Sequence, residues 1–190
     1  MTPENLVRVD KDDNVLGPIE RLKAHRGKGI LHRGLVVIVK NSRGEFLLTQ
    51  RSESRPDLEF PPPFPGFWDL TLAGHPRWGQ DDYITQMAVE LGEEVGINAN
   101  PGDIEPRGKF LYHVPDPTYP NTKSPPDFRL SEYEICGVGV VTTDKKPRLN
   151  RIELQSSLWV DREGVADKFK SLRMAPWSLL MVENLPKILD

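Results

Sequence analysis

The sequence predicts an α/β (α+β) fold, a mixed β-sheet with helices packed on it. Two observations predict it: short β-rich runs are separated by Gly-, Pro- and Asn-containing turns, and one stretch between them has a clear helical period. No repeat and no linker interrupts the 190 residues, so residues 1–190 are expected to form one domain.

Residues 6–17, LVRVDKDDNVLG, alternate apolar and polar and turn at Asp12-Asp13-Asn14, which predicts an opening hairpin. A second hairpin is predicted from residues 35–39 and 46–49, joined by Asn41-Ser42-Arg43-Gly44. A β-like run over residues 68–73 leads into the loop Gly74-His75-Pro76-Arg77-Trp78-Gly79. Ile84, Met87, Ala88, Leu91 and Val95 then recur at helical offsets, predicting a helix over 82–95 with Asp81 or Asp82 as N-cap and Gly96 as C-cap. Strands follow at about 110–114, 132–142 and 157–160, and a last helix over 177–189. The proline-rich patches at 56–65 and 115–126 read as loops on this core.

Against 25 Lys+Arg stand 28 Asp+Glu, a formal charge of −3, which is not the basic footprint of a nucleic-acid binder. The single cysteine, Cys136, closes no intramolecular disulfide and excludes a four-thiolate zinc site; a reducing, cytoplasmic setting is expected. Its expected role is that of a small buried hydrophobe. No stretch approaches the roughly 20 apolar residues that span a bilayer, and the N-terminal MTPENLVRVDKDDN is too polar for a secretory signal.

The chemistry concentrates on the 82–95 helix, where Glu90, Glu93 and Glu94 share a face and repel one another. A hard divalent cation such as Mg²⁺, usually held together with substrate phosphates, would answer that repulsion; the alternative is a solvated acidic surface. Elsewhere His25 and His32 flank the entry to the second hairpin, His75 sits in the glycine loop, and Glu132 and Glu134, two apart on a strand, point to one face.

The β-run, glycine loop and ELGEEVGI helix end resemble the Nudix box, G-x5-E-x7-R-E-U-x-E-E-x-G-U with U aliphatic. Glu90, Leu91, Glu93, Glu94, Gly96 and Ile97 match its second half. In the first half, Gly74 lies one residue too far upstream, Asp81 replaces the early glutamate, and Val89 stands where the family has an arginine that orients the glutamates. The resemblance implies the Nudix fold, a mixed sheet sandwiched between helices, with Glu90, Glu93 and Glu94 holding Mg²⁺ or Mn²⁺ for attack on a diphosphate.

VDKDDNVLG, HRGKGILHRG, PGFWDLTLAGHP, SEYEIC and APWSLLM further resemble, in the same order, the type 1 isopentenyl-diphosphate isomerases. That resemblance implies a second divalent metal, Zn²⁺ or Mn²⁺, held by His25, His32, His75, Glu132 and Glu134, and phosphate contacts from Arg21, Arg51 and Arg55. The isomerases also place a cysteine immediately before the Gly-His-Pro. Here that residue is Ala73, which carries no proton to give.

The expected activity is therefore metal-dependent hydrolysis of a small-molecule organic or nucleoside diphosphate, with Glu93, Glu90 and Glu134 as catalytic groups. The alternatives are an isomerase working without the cysteine and a non-catalytic diphosphate-binding module. Trp68, Trp78, Trp177, Phe60, Phe64, Phe67 and Tyr112 are candidates to line a pocket, and the insert 59–64 to set its size.

Overall fold

A computed structural model describes residues 4–56, 63–80, 82–118, 127–185 and 187–189. Phe60, Asp81, most of the insert 59–64 and much of the patch 115–126 lie outside them, with the expectations placed there.

The opening hairpin pairs β1 (Asn5–Val9) with β2 (Val15–Glu20), antiparallel. Its turn is held by the Asp10 carboxylate, which accepts from the amides of Asp12 and Asn14 at 2.9 and 3.0 Å. A short helix, α1 (Arg21–His25), leads to the central strand β3 (His32–Lys40). The turn to β4 (Phe46–Arg51) is organised by Asn41, whose side-chain oxygen accepts from the amides of Arg43 and Glu45 at 3.0 and 2.9 Å.

The run expected over 68–73 is two strands, β5 (Trp68–Asp69) and β6 (Leu72–Gly74). Thr71, at φ 67°, breaks it, and buried hydrogen bonds fix the kink: its hydroxyl donates to the Leu47 carbonyl at 2.6 Å and accepts from the Val39 amide at 2.9 Å.

Helix α2 covers Tyr83–Glu90 and then widens into a π-helical turn over Leu91–Val95. Its N-cap is Asp82, which accepts from the Thr85 amide at 2.7 Å, and Gly96 ends it at φ 69° as the sequence predicts. After a 3₁₀ turn, β7 (Ile104–Pro115) and β8 (Ser131–Thr142) form a long antiparallel pair. β9 (Leu154–Val160) pairs with β4, α3 (Arg162–Ser171) follows, and α4 (Pro176–Asn184) is shorter than the expected 177–189. Helix α3 has no apolar period to announce it, because Val165 is its one buried residue.

β3 organises the sheet, running parallel to β8 and antiparallel to β6 and β1. Its side chains alternate between two cores. Leu35, Val37 and Val39 pack with Met87, Leu91 and Val95 under α2. Val36 and Ile38 pack with Val138, Cys136, Trp177 and Met181 under α4. The sheet thus lies between helices, as expected, and Cys136 is a core residue 1% exposed. Among the described residues no helix is long and apolar enough to cross a membrane.

Gly96 joins the helix end to the segment before β9. A Cβ there would meet the Arg148 carbonyl oxygen at 2.5 Å, while Val95 and Glu94 accept from the amides of Arg148 and Asn150, both at 2.8 Å. Gly96→Ala combines left-handed strain of about 1–2 kcal/mol with this backbone clash. A lower urea midpoint with unchanged slope is expected, and an unchanged midpoint would contradict the account.

Candidate metal centre and active-site cavity

Three strand ends and α1 bring five ligand side chains together. The β3/β8 register sets His32 beside Glu134, Glu132 lies two residues earlier on the same face of β8, His75 follows β6, and His25 ends α1. One donor atom from each of His25, His32, His75, Glu132 and Glu134 lies within 4.8 Å of the others.

The two N-terminal imidazoles are oriented from behind. His25 Nδ1 donates to the Arg21 carbonyl and His32 Nδ1 to the Ile30 carbonyl, both at 2.7 Å, leaving each Nε2 lone pair aimed at the centre. His25 Nε2 stands 3.0 Å from Glu132 Oε2 and 3.1 Å from His75 Nε2, and His75 Nε2 stands 2.9 Å from Glu134 Oε1. His32 Nε2 is buried without a hydrogen-bond partner. An orphaned lone pair facing two carboxylates fits a cation, and the imidazole and carboxylate donors suit Zn²⁺ or Mn²⁺.

The protonation states complete this picture. Burial and the neighbouring His25 and His75 hold His32 well below the usual range, hence neutral. Burial alone would raise Glu132, but His25 and His75 pull it well below. Burial lowers His75, yet Glu134 and Glu132 outweigh it and set it at about 9. Glu134 is raised by burial and receives the Tyr112 hydroxyl at 2.8 Å.

Beside this centre opens a polar cavity of about 190 Å³. Glu90, Glu93 and Glu94 from α2 and its π-turn form an acidic wall, Arg21, Arg51 and Arg55 a basic one, and Ala73 and His75 also line the cavity. Glu90 is 7% exposed, and its carboxyl is pushed to about 7 by burial, against the pull of Arg77. Glu94 is raised well above its usual range by burial and by Glu153. Two buried carboxylates that resist ionising here lack positive charge, which fits a divalent cation at this wall too.

Glu4, Arg77 and Glu153, which no sequence motif marks, also line the cavity. Glu4 pairs with Arg21 at 2.8 Å, Glu153 with Arg55 at 2.7 Å, and Arg77 with Glu93 at 2.8 Å and Glu90 at 3.3 Å. Arg51 lies 3.3 Å from the buried Asp69. None of the three stands on a periodic element, so only their charge was legible.

The shifts of Glu90 and His75 act in one direction. Glu90 rises from 4.5 to about 7 and His75 from 6.5 to about 9, so the folded protein holds protons that the unfolded chain has released. Metal-free protein should lose stability as pH rises from about 5 through about 9. Melting curves in chelator test this; Glu90→Gln should flatten the part between about pH 5 and 7, and a Tm rising over that range would contradict the assignment.

Comparison with known proteins bears on these walls. The model of the NUDIX domain matches residues 30–181. An isopentenyl-diphosphate Delta-isomerase of Halorhodospira halophila is 31% identical over 188 residues, covering 96% of this chain and 95% of that protein. Among solved structures, DR0079 from Deinococcus radiodurans shares the fold at TM-score 0.67 and 19% identity, covering 96% of this chain and 99% of that one. The NUDIX domain of Shewanella oneidensis NrtR, solved with ADP ribose, does so at TM-score 0.54 and 15% identity, covering 84% of this chain and 88% of that one. The chain belongs to the Nudix family, and within it resembles the isopentenyl-diphosphate isomerases.

Proposed function

We propose that the protein is a metal-dependent hydrolase of a diphosphate linkage in an organic or nucleoside diphosphate. The observation that carries this reading is the cavity itself, which brings the carboxylates of Glu90, Glu93 and Glu94, the guanidinium groups of Arg21, Arg51 and Arg55, and Ala73 into one lining. Glu90, Glu93 and Glu94 would hold Mg²⁺ or Mn²⁺, which when bound neutralises the diphosphate and acidifies a water. Arg21, Arg51 and Arg55 bind the phosphate oxygens, for which the guanidinium fork is shaped. Phosphate then competes with the carboxylates these arginines now face.

Glu93 takes the proton of the attacking water. Its side chain is 50% exposed, against 10% for Glu90, so it is the carboxylate that water and substrate reach from the cavity. Water oxygen bonds to phosphorus, the bridging P–O bond breaks, and the leaving phosphate is held by the arginines. The NrtR complex, with a nucleoside diphosphate in a related fold, is compatible with this substrate class.

A second reading, isomerisation without the cysteine, is favoured by the assembled His/Glu centre and by the isomerase relatives. It requires a proton donor where Ala73 offers a methyl group.

Phosphate release from a panel of organic and nucleoside diphosphates with Mg²⁺ is the primary test. Glu93→Gln should lose at least about 10²-fold in kcat, the usual scale for removing a general base, and unchanged turnover would refute its role. For the isomerase reading, isopentenyl diphosphate incubated in D₂O with high enzyme should take up no deuterium; incorporation would replace hydrolysis by isomerisation as the leading assignment.

A further inference from the structure

The cavity wall raises a question that its glutamates do not answer: what holds them apart and aimed, when the helix carries Val89 where the Nudix box has its arginine? Val89 is half-buried and aliphatic, so it offers Glu90 and Glu93 no hydrogen bond. Charge of the right kind arrives instead from the loop between β6 and α2. Arg77 Nη2 lies 2.8 Å from Glu93 Oε2 and 3.3 Å from Glu90 Oε1, bridging two carboxylates with one nitrogen, while its Nε lies 3.5 Å from Glu4 Oε1.

The bridge is useful only if its base is fixed, and the loop is tied on both sides. Toward β1, Arg77 forms an isolated bridge with Leu6, and the Trp78 amide donates to the Asn5 carbonyl at 2.8 Å. Toward α2, the fully buried Gln86 accepts from the Arg77 amide at 3.4 Å and donates to the Gln80 side chain at 2.8 Å. The Gln80 amide returns to the Arg77 carbonyl at 2.9 Å. The backbone that carries Arg77 is therefore pinned to the helix that carries its two partners.

We infer that Arg77 is the positioning residue of the acidic wall, orienting Glu90 and Glu93 from the loop in place of the box arginine that Val89 has displaced. This deepens the hydrolase reading and rests on it for its kinetic consequence, though not for its structural one. Arg77 acts through the two carboxylates it holds, one of them the proposed base Glu93. It restricts two carboxylates that would otherwise separate under their mutual repulsion, so that they converge on a cation in one arrangement.

The helix geometry suggests the decisive variant. Position 89 is four residues before Glu93, within reach of a side-chain pair on one helix face, so an arginine returned there can resume the task. Arg77→Ala should lower kcat by about 10–100-fold at saturating Mg²⁺, the scale for losing a residue that orients ligands, with KM within about threefold. Arg77→Ala with Val89→Arg should recover most of that loss, which a merely structural role of Arg77 in the loop would not allow.

A second readout needs no turnover. Mn²⁺ added to the substrate-free protein should give one well-resolved EPR spectrum in the wild type and in the double variant, and a broadened, heterogeneous one in Arg77→Ala. If the panel shows no hydrolysis at all, the spectra still decide the role of Arg77, so the two assignments fail separately. Unchanged kcat and an unchanged spectrum in Arg77→Ala would overturn the inference, as would a folded double variant that recovers neither. Should circular dichroism show the double variant unfolded, Arg77→Lys decides: a value between wild type and Arg77→Ala supports the bridge, and one equal to Arg77→Ala overturns it.

Discussion

Glu134 lies across the backbone of Gly34, and a Cβ at position 34 would stand 1.6 Å from its Oε2. That contact depends on β3 and β8 running parallel in one register, with His32 beside Glu134 and Gly34 beside Cys136. Shift the register by one residue and Glu134 turns to the opposite face, where Ile135 packs with Val7, Val9 and Leu31. The glycine lets the carboxylate lean toward His75 and His32 rather than stand upright between strands. β6, laid against the other edge of β3, then delivers His75 one residue after Gly74 pairs with Leu35. The metal centre is thus a property of the sheet's middle, not of a mobile loop.

The polar cavity obeys a different constraint, the cost of burying like charges. Glu4, Glu90, Glu93, Glu94 and Glu153 line about 190 Å³ together with Arg21, Arg51, Arg55 and Arg77. Every one of these arginines already has a carboxylate beside it. The excess falls on the deepest carboxylates, Glu90 and Glu94, whose raised proton affinity records it. A dication against the acidic wall relieves that excess.

How much of this was legible in the sequence follows from how each residue signals. The helix 82–95 shows through its period and its glycine stop, and the structure keeps both. Its last turn is π-helical, which widens the spacing under Glu93 and Glu94, and no periodicity distinguishes such a turn from an α-helical one. Thr71 hides likewise: a β-branched residue at positive φ in a β-rich run gives no warning of the break between β5 and β6. The ligand set reached the page through the order of five motifs, since histidines 50 residues apart carry no local sign of meeting. Arg77 and Glu153 gave still less, single charges in loops whose partners are fixed only by tertiary folding.

The aromatic residues settle what lies behind the cavity. Phe64, Phe67, Tyr112 and Trp177 are between 0 and 6% exposed and pack into the core under α4, whereas Trp78 is 42% exposed. Phe64 is clamped there, its amide donating to the Asp116 carboxylate at 2.9 Å and its ring standing edge-on to Phe67 and Trp177. Ala73 marks the border, packed against this core yet lining the polar cavity. At that border an isomerase needs a proton donor. Cys136 shares the core but is sealed from the cavity, and burial keeps its thiol protonated. The Tyr112 hydroxyl is already committed to Glu134, and burial raises it as well. The titratable groups that share the cavity with Ala73 include Glu90, Glu93 and Glu94 of α2 and its π-turn and the His75 imidazole.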